Sequence, residues 1–286
     1  MDVQLFNDAD VFWQGAAGYL AADPFSASVI AVYAGRVRAG SQPPGPDDLW
    51  VTVTDGGRVV GLAMHIPPHR LFVARMPEPA AVALADALAD HRRPLPGVNG
   101  ESATGASFAA AWQERTGEKA VVDMRMRMYR LDDLKPPAGV PGEHRPASVD
   151  DTGVVAGWAA AFHDEAQPQA PSADWSAWSA RRINSGELYL WVDDDIPVAM
   201  AAHSAPAGGV ARVGPVYTLR PMRRRGFGTA ATVAATTAAL GAGAAHVVLY
   251  TDLFNPTSNS IYQAVGYRPD HEAEERAFVS ATAVRR

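Results

Sequence analysis

Residues 216–229 of the 286-residue chain, Val-Tyr-Thr-Leu-Arg-Pro-Met-Arg-Arg-Arg-Gly-Phe-Gly-Thr, hold the densest chemistry in the sequence. A β-rich run ends in a basic loop punctuated by Gly226 and Gly228, and an alanine-rich stretch of helical composition follows at once. Free backbone N–H groups and the positive end of a helix then meet at one point, where anions bind and phosphates bind best. Either glycine lets a ligand approach the backbone closely. Arg223, Arg224 and Arg225 carry forked donors that match phosphate oxygens. The order strand, basic loop, helix predicts a site for a phosphate-bearing small molecule.

Spacing separates the kinds of phosphate loop. A Walker A loop needs Gly-Lys-Ser/Thr after a longer loop, and the chain has none here. A dinucleotide-binding turn is a closer rival. Residues 226–231, Gly-Phe-Gly-Thr-Ala-Ala, match G-x-G-x-x-A, and Asp252 falls where a ribose-binding acid would stand. Against it, residues 219–225 separate the strand from the glycines. The stretch beyond Asp252 is also too short for the remaining βαβ units.

The pattern Arg223-x-x-Gly226-x-Gly228 resembles the pyrophosphate loop, Arg/Gln-x-x-Gly-x-Gly/Ala, of the GNAT superfamily of acetyl-CoA-dependent N-acetyltransferases. Val216, Tyr217 and Thr218 look like that family's fourth strand. Downstream, Tyr250, Asn255, Tyr262 and Gly266-Tyr267 resemble its next strand, Asn-led helix, tyrosine and closing Gly-aromatic pair. The two motifs stand in the family's order and cover roughly residues 140–280. The resemblance implies acetyl transfer from acetyl-CoA, the co-substrate, to an amine of a small molecule or peptide by direct attack. It implies a splay between strands at residues 213–218 and 246–251. There Val216, Tyr217 and Thr218 contact the pantetheine arm, with the backbone of Val216 and Thr218 paired to it as a sheet edge pairs with an added strand. The pyrophosphate falls to Arg223 and to the amides of Arg224, Arg225, Gly226, Phe227, Gly228 and Thr229, with further cofactor contacts at Asn255 and Ser258. A Val216 N–H would stabilise the oxyanion.

Tyr262 is the implied proton donor to the departing thiolate, since a phenol with a pKa of about 10 keeps its proton at neutral pH. Its residue type serves equally as a core aromatic beside Ile261 and Val265, and Asn255 equally as a cap ahead of Pro256. An amine acceptor must lose a proton before it attacks. Glu165, His203 and Asp252 are candidates to take it. The family's first helix-loop-helix lines the acceptor pocket, which singles out Glu165. Glu165 reads otherwise as a solvated helix-end acid and His203 as an ordinary strand side chain. No metal-ligand spacing is present. A non-catalytic acyl-CoA-binding or sensing protein and a nucleotide-dependent oxidoreductase remain open alternatives.

The elements that position these residues occur twice. Residues 49–61 read as strand, turn and strand, and residues 188–200 read the same way. Each hairpin leads through a further strand into an alanine-rich helix, at residues 79–89 in the first half and 229–240 in the second. A helix follows later in each, at residues 107–115 and 257–265. Between strand and helix the first half has only Met76, Pro77 and Glu78, with neither glycine nor base. The Pro/Gly-rich residues 134–146 read as a linker. The expected fold is α/β (α+β): two tandem GNAT-like domains, each a mixed, mostly antiparallel sheet flanked by helices. Residues 1–136 form a degenerate copy without a phosphate loop, and residues 137–286 form the acetyl-CoA-binding catalytic domain.

Composition narrows the partners. A net charge of −6 with 20% charged residues argues against general nucleic-acid binding. The absence of cysteine excludes disulfides, thiolate metal sites and a thiol nucleophile. The N-terminus lacks a basic region and an apolar core, and residues 229–245 are short, Ala/Thr-rich and interrupted by glycine. These features predict no membrane partner and a cytoplasmic location; the degenerate first copy is a candidate homodimer surface.

Overall fold

The computed structural model describes residues 1–91 and 94–280. The chain divides into two units: Met1–Arg127 with the stretch from His271 onward, and Met128–Asp270. Along the chain the two units meet between residues 127 and 128, and most of the C-terminal strand belongs to the first. The reason is local. Residues 134–146 have the composition of a linker but are tied into the second unit. The Lys135 N–H donates to the Val265 carbonyl (3.0 Å), the Asp132 N–H donates to that of Gly266 (3.0 Å), and residues 143–146 form a strand.

In chain order the first unit contains β1 (Asp2–Phe6), α1 (Ala9–Ala22), α2 (Ser28–Arg38), β2 (Leu49–Asp55), β3 (Arg58–His65), β4 (Leu71–Val73), α3 (Glu78–Asp90), β5 (Gly97–Glu101), α4 (Ser102–Thr116) and most of β6 (Lys119–Leu131). The pairs β1–β2, β2–β3 and β3–β4 are antiparallel, and β4–β5 is parallel. The second unit contains β7 (Glu143–Pro146), α5 (Thr152–Ala166), α6 (Trp175–Asn184), β8 (Leu188–Asp193), β9 (Ile196–His203), β10 (Val210–Thr218), α7 (Phe227–Gly241), β11 (His246–Asp252), α8 (Pro256–Ala264) and the start of β12 (Tyr267–Val279). Here β7–β8, β8–β9 and β9–β10 are antiparallel, and β10–β11 is parallel. Each unit is thus the mixed, mostly antiparallel sheet that alternating apolar positions and short turns dictate.

The two hairpins share a turn. Gly56 and Gly57 (φ 55° and 82°) join β2 to β3, and Asp194 and Asp195 (φ 49° and 63°) join β8 to β9. Two consecutive positive φ values match the right-handed twist of the strands they connect, and Gly or Asp supplies them most readily. The core of the second unit that matters for the site lies between sheet and α7. Val198, Ala199, Ala201, Ala211 and Val213 pack there against Phe227, Ala231, Ala235 and Ala239. Small side chains bring α7 close to the strands. Its threonines bond back within the helix, Thr232 Oγ1 to the Gly228 carbonyl (2.8 Å) and Thr236 Oγ1 to the Thr232 carbonyl (2.7 Å). Among the described residues no helix is long and apolar enough to cross a membrane.

Candidate functional site

The strand β10 changes partners along its length. Val210, Ala211 and Arg212 pair with β11, and the pairing with β11 ends there. After an irregularity between Val213 and Val216, Val216, Tyr217 and Thr218 pair only with β9. The Leu219 N–H donates to the Val198 carbonyl of β9 (3.1 Å). Backbone groups alternate sides along a strand, so the N–H and C=O of Val216 and Thr218 face away from β9, into the gap that opens toward β11. This is the splay expected between residues 213–218 and 246–251.

The chain leaves β10 through a 3-10 turn at Arg220–Met222. Arg223 is extended, Arg224 is left-handed (φ 64°), and Gly226 is left-handed (φ 87°) at the N-cap of α7. A Cβ on Gly226 would stand 2.8 Å from Val140 Cγ2, so this position demands glycine on both counts. The first α7 hydrogen bond runs from the Ala230 N–H to the Gly226 carbonyl. Among the described residues, the amides of Arg224, Arg225, Gly226, Phe227, Gly228 and Thr229 have no hydrogen-bond acceptor in the protein. Left-handed residues at 224 and 226 ahead of a helix N-terminus turn nearby N–H groups toward one concavity, which receives an anion. Gly228 closes this mouth against the strand: a Cβ there would meet Thr218 Oγ1 at 2.8 Å.

The three arginines behave differently. Arg223 Nε donates to the Thr218 carbonyl (3.0 Å), its Nη2 donates to Glu165 Oε2 (2.8 Å), and its guanidinium lies over the Tyr217 ring. Arg225 donates to Asp193 Oδ2 (3.2 Å) and covers the buried Phe227 ring at 4.8 Å. Arg224 is exposed, and its side chain makes no ion pair among the described residues. The first half has no counterpart. Positions 77 and 79, flanking Glu78 at the start of α3, are prolines without an N–H, and the Met76 N–H is taken by Thr104 Oγ1 (3.1 Å).

The expected proton acceptors are occupied. Glu165, at the C-terminal end of α5, accepts from Arg220 Nε (2.9 Å) as well as from Arg223. Burial acts to raise its pKa, but the hydrogen bonds and charges of Arg223 and Arg220 prevail and hold the carboxyl below its usual range. A carboxylate so engaged is a weak base, and its geometry suits it to holding the loop. His203 is buried, its Nδ1 3.0 Å from the Ser204 carbonyl and its ring stacked on Tyr189. Asp252 Oδ1 accepts from the Phe254 N–H (2.8 Å) and shapes the turn into α8.

On α8, Asn255 caps the helix by accepting from the Ser258 N–H (3.0 Å), with Pro256 at the first helical position. Both readings of Asn255, cap and ligand contact, are compatible with this. Tyr262 packs with Val216 and Phe227 onto the same apolar cluster. Its ring meets Tyr129 (6.3 Å) and Tyr267 (6.2 Å), and its hydroxyl has no hydrogen-bond partner among the described residues. Burial alone pushes its pKa up to about 12, so the phenol stays protonated. The sequence reading missed Tyr129, Asn259 and Gln263, which bond to one another beside Tyr262. Tyr129 left no signal because it lies on β6, ahead of the presumed linker.

Residues 154–267 match the model of the acetyltransferase (GNAT) family. No curated protein matches the chain. Among solved structures, a GCN5-related N-acetyltransferase from Sphaerobacter thermophilus is 19% identical over 97% of this chain and 96% of its own, with a TM-score of 0.61. An acetyltransferase of the GNAT family from Colwellia psychrerythraea is 12% identical over 97% of this chain and 100% of its own (TM-score 0.59). A tandem GNAT protein from the clavulanic acid biosynthesis pathway is 14% identical over 97% of this chain and 98% of its own (TM-score 0.54). At such identities the likeness is one of fold, and it extends along the whole chain. Residues 154–267 are thus similar to the acetyltransferase (GNAT) family, whose members use acetyl-CoA as co-substrate.

Proposed function

We propose that the second unit transfers the acetyl group of acetyl-CoA to an amine of a small molecule or peptide by direct attack. The observation that carries this reading is the run of six unpartnered amides, residues 224–229, at the mouth of α7 beside the unpaired edge of β10. The amides and the helix N-terminus take the diphosphate, and Arg224 adds a free guanidinium. The pantetheine arm lies along Val216 and Thr218 as an added strand, and Asn255 and Ser258 border it from α8. The Val216 N–H polarises the thioester carbonyl. The amine lone pair forms the new C–N bond, the C–S bond breaks, and sulfur takes a proton from Tyr262 while the amine sheds its own to solvent. Glu165 serves as the tether of Arg220 and Arg223 rather than as the base. The first unit, with two prolines at the start of α3, takes no diphosphate and is read as the degenerate copy.

Incubation with acetyl-CoA and pooled amines, read as free thiol with mass detection of the acetylated product, tests the assignment. Thiol release that requires an amine is the expected result. Acetyl-CoA binding without amine-dependent release across chemically diverse pools contradicts it.

A further inference from the structure

Tyr262 stands between two tyrosines whose hydroxyls are both tied down. Tyr129, fully buried on β6, donates its hydroxyl proton to Asn259 Oδ1 (2.7 Å) and accepts from Gln263 Nε2 (3.1 Å). Its donor and one lone pair are thereby used, and the direction of the hydroxyl is fixed. That in turn fixes the Asn259 amide, because only Nδ2 is left to donate. It donates to the carbonyls of Asn255 (2.7 Å) and Asp252 (3.0 Å) at the turn between β11 and α8. On the other side, Thr236 gives its hydroxyl proton to the Thr232 carbonyl, so Tyr267 must donate to Thr236 Oγ1 (2.7 Å). The Tyr262 ring is tilted at 51° to Tyr129 and stands edge-on at 68° to Tyr267, and contact on both sides limits its rotation.

We propose that Tyr129 and Asn259 are positioning residues. One hydrogen-bonded latch holds both the ring of Tyr262 and the Asp252-to-Asn255 turn, so the proton donor and the cap of α8 move as a single body. The inference rests on the role proposed above for Tyr262. A hydrogen-bonded network anchored on a buried hydroxyl rigidifies what it ties together, and small displacements of a reacting group are costly to rate. The latch includes no residue of the diphosphate mouth, so losing it should weigh on turnover far more than on cofactor affinity.

The experiment is a double-mutant cycle of Tyr129→Phe and Tyr262→Phe, read as kcat and as KM for acetyl-CoA. Tyr129→Phe is expected to lower kcat roughly 5- to 30-fold with KM within twofold, and to change kcat less than twofold once Tyr262 is Phe. Gln263→Leu, at an exposed position, removes the second partner without opening the core and should give the same pattern at smaller size. Equal losses in both backgrounds, a loss confined to KM, or no loss overturns the latch while leaving the acetyl-transfer reading standing. An unchanged kcat in Tyr262→Phe alone overturns the role of Tyr262, and the latch with it. A readout independent of any acceptor is ¹⁹F NMR of protein carrying 3-fluorotyrosine, with the Tyr262 signal assigned by its loss in Tyr262→Phe. That signal should broaden or split in Tyr129→Phe, and an identical line in parent and variant counts against the latch.

Discussion

Replacing Gly228 by Glu places a carboxylate in the first turn of α7, where the diphosphate is proposed to sit. At roughly 5 Å and an effective dielectric of about 20, two like unit charges repel by about 3 kcal/mol. That corresponds to roughly a hundredfold loss of CoA affinity at low salt, shrinking as ionic strength rises. The added Cβ meets Thr218 Oγ1 at 2.8 Å, and Gly228→Ala isolates this steric part. Because a threonine hydroxyl can rotate aside, the Ala variant should lose no more than about threefold in affinity. The fold should survive, since an acid at a helix N-terminus is itself favourable by about 0.3–1 kcal/mol. Isothermal calorimetry with CoA at two salt concentrations, beside thermal melts of the ligand-free variants, measures all three effects. A Glu variant that binds CoA within threefold of the parent, with an unchanged melt, would falsify the placement of the diphosphate.

Tyr262→Phe should lower kcat on the order of a hundredfold with CoA affinity within twofold. In the parent, burial pushes the Tyr262 pKa up to about 12, so an alkaline limb of kcat due to this phenol belongs near pH 12 rather than near the ordinary phenol value of about 10. An equal limb in parent and Phe variant would assign it to another group. Glu165→Gln should leave the acidic limb of kcat/KM in place, because a carboxylate held by Arg223 and Arg220 below its ordinary range is not what titrates there. Disappearance of that limb would restore Glu165 as the proton acceptor. Asp151→Asn, ahead of α5, should cost about 1–2 kcal/mol at pH 7, discounted for the half-exposed guanidinium of its partner Arg145. Hydrogen bonding from Arg145, against burial, depresses the Asp151 pKa from 3.8 to about 2. A depressed pKa stabilises the fold above the unfolded value and ceases to do so as pH falls from about 4 to about 2. Denaturant titrations should therefore show the gap between parent and Asn variant closing at low pH, and a constant gap would exclude this linkage.

The repeats and the loop were legible because their determinants are local. The hairpins are set by period-2 alternation and two-residue turns, and strand β10 runs over Val210–Thr218, as the apolar pattern indicates. The phosphate mouth needs only glycine, arginine and the start of a helix, all within residues 219–229. What was not legible depends on partners far apart in the chain. Proline and glycine at residues 134–146 give the signature of a linker, yet His144 and Arg145 are register partners of Trp191 and Leu190 in an edge strand pair. Nothing in the type of Glu165 announces that Arg220 and Arg223 will close on it from a distant loop. The pairing of Tyr129 with Asn259 joins β6 to α8 by a single hydroxyl, which leaves no periodic trace.

The central claim, that amides 224–229 hold the diphosphate, is tested most directly by hydrogen–deuterium exchange with and without CoA. These amides have no acceptor in the protein, so they should exchange fast alone and slow markedly on adding CoA, while residues 76–80 of the first unit stay unchanged. Unaltered exchange at residues 224–229 under saturating CoA would contradict the claim.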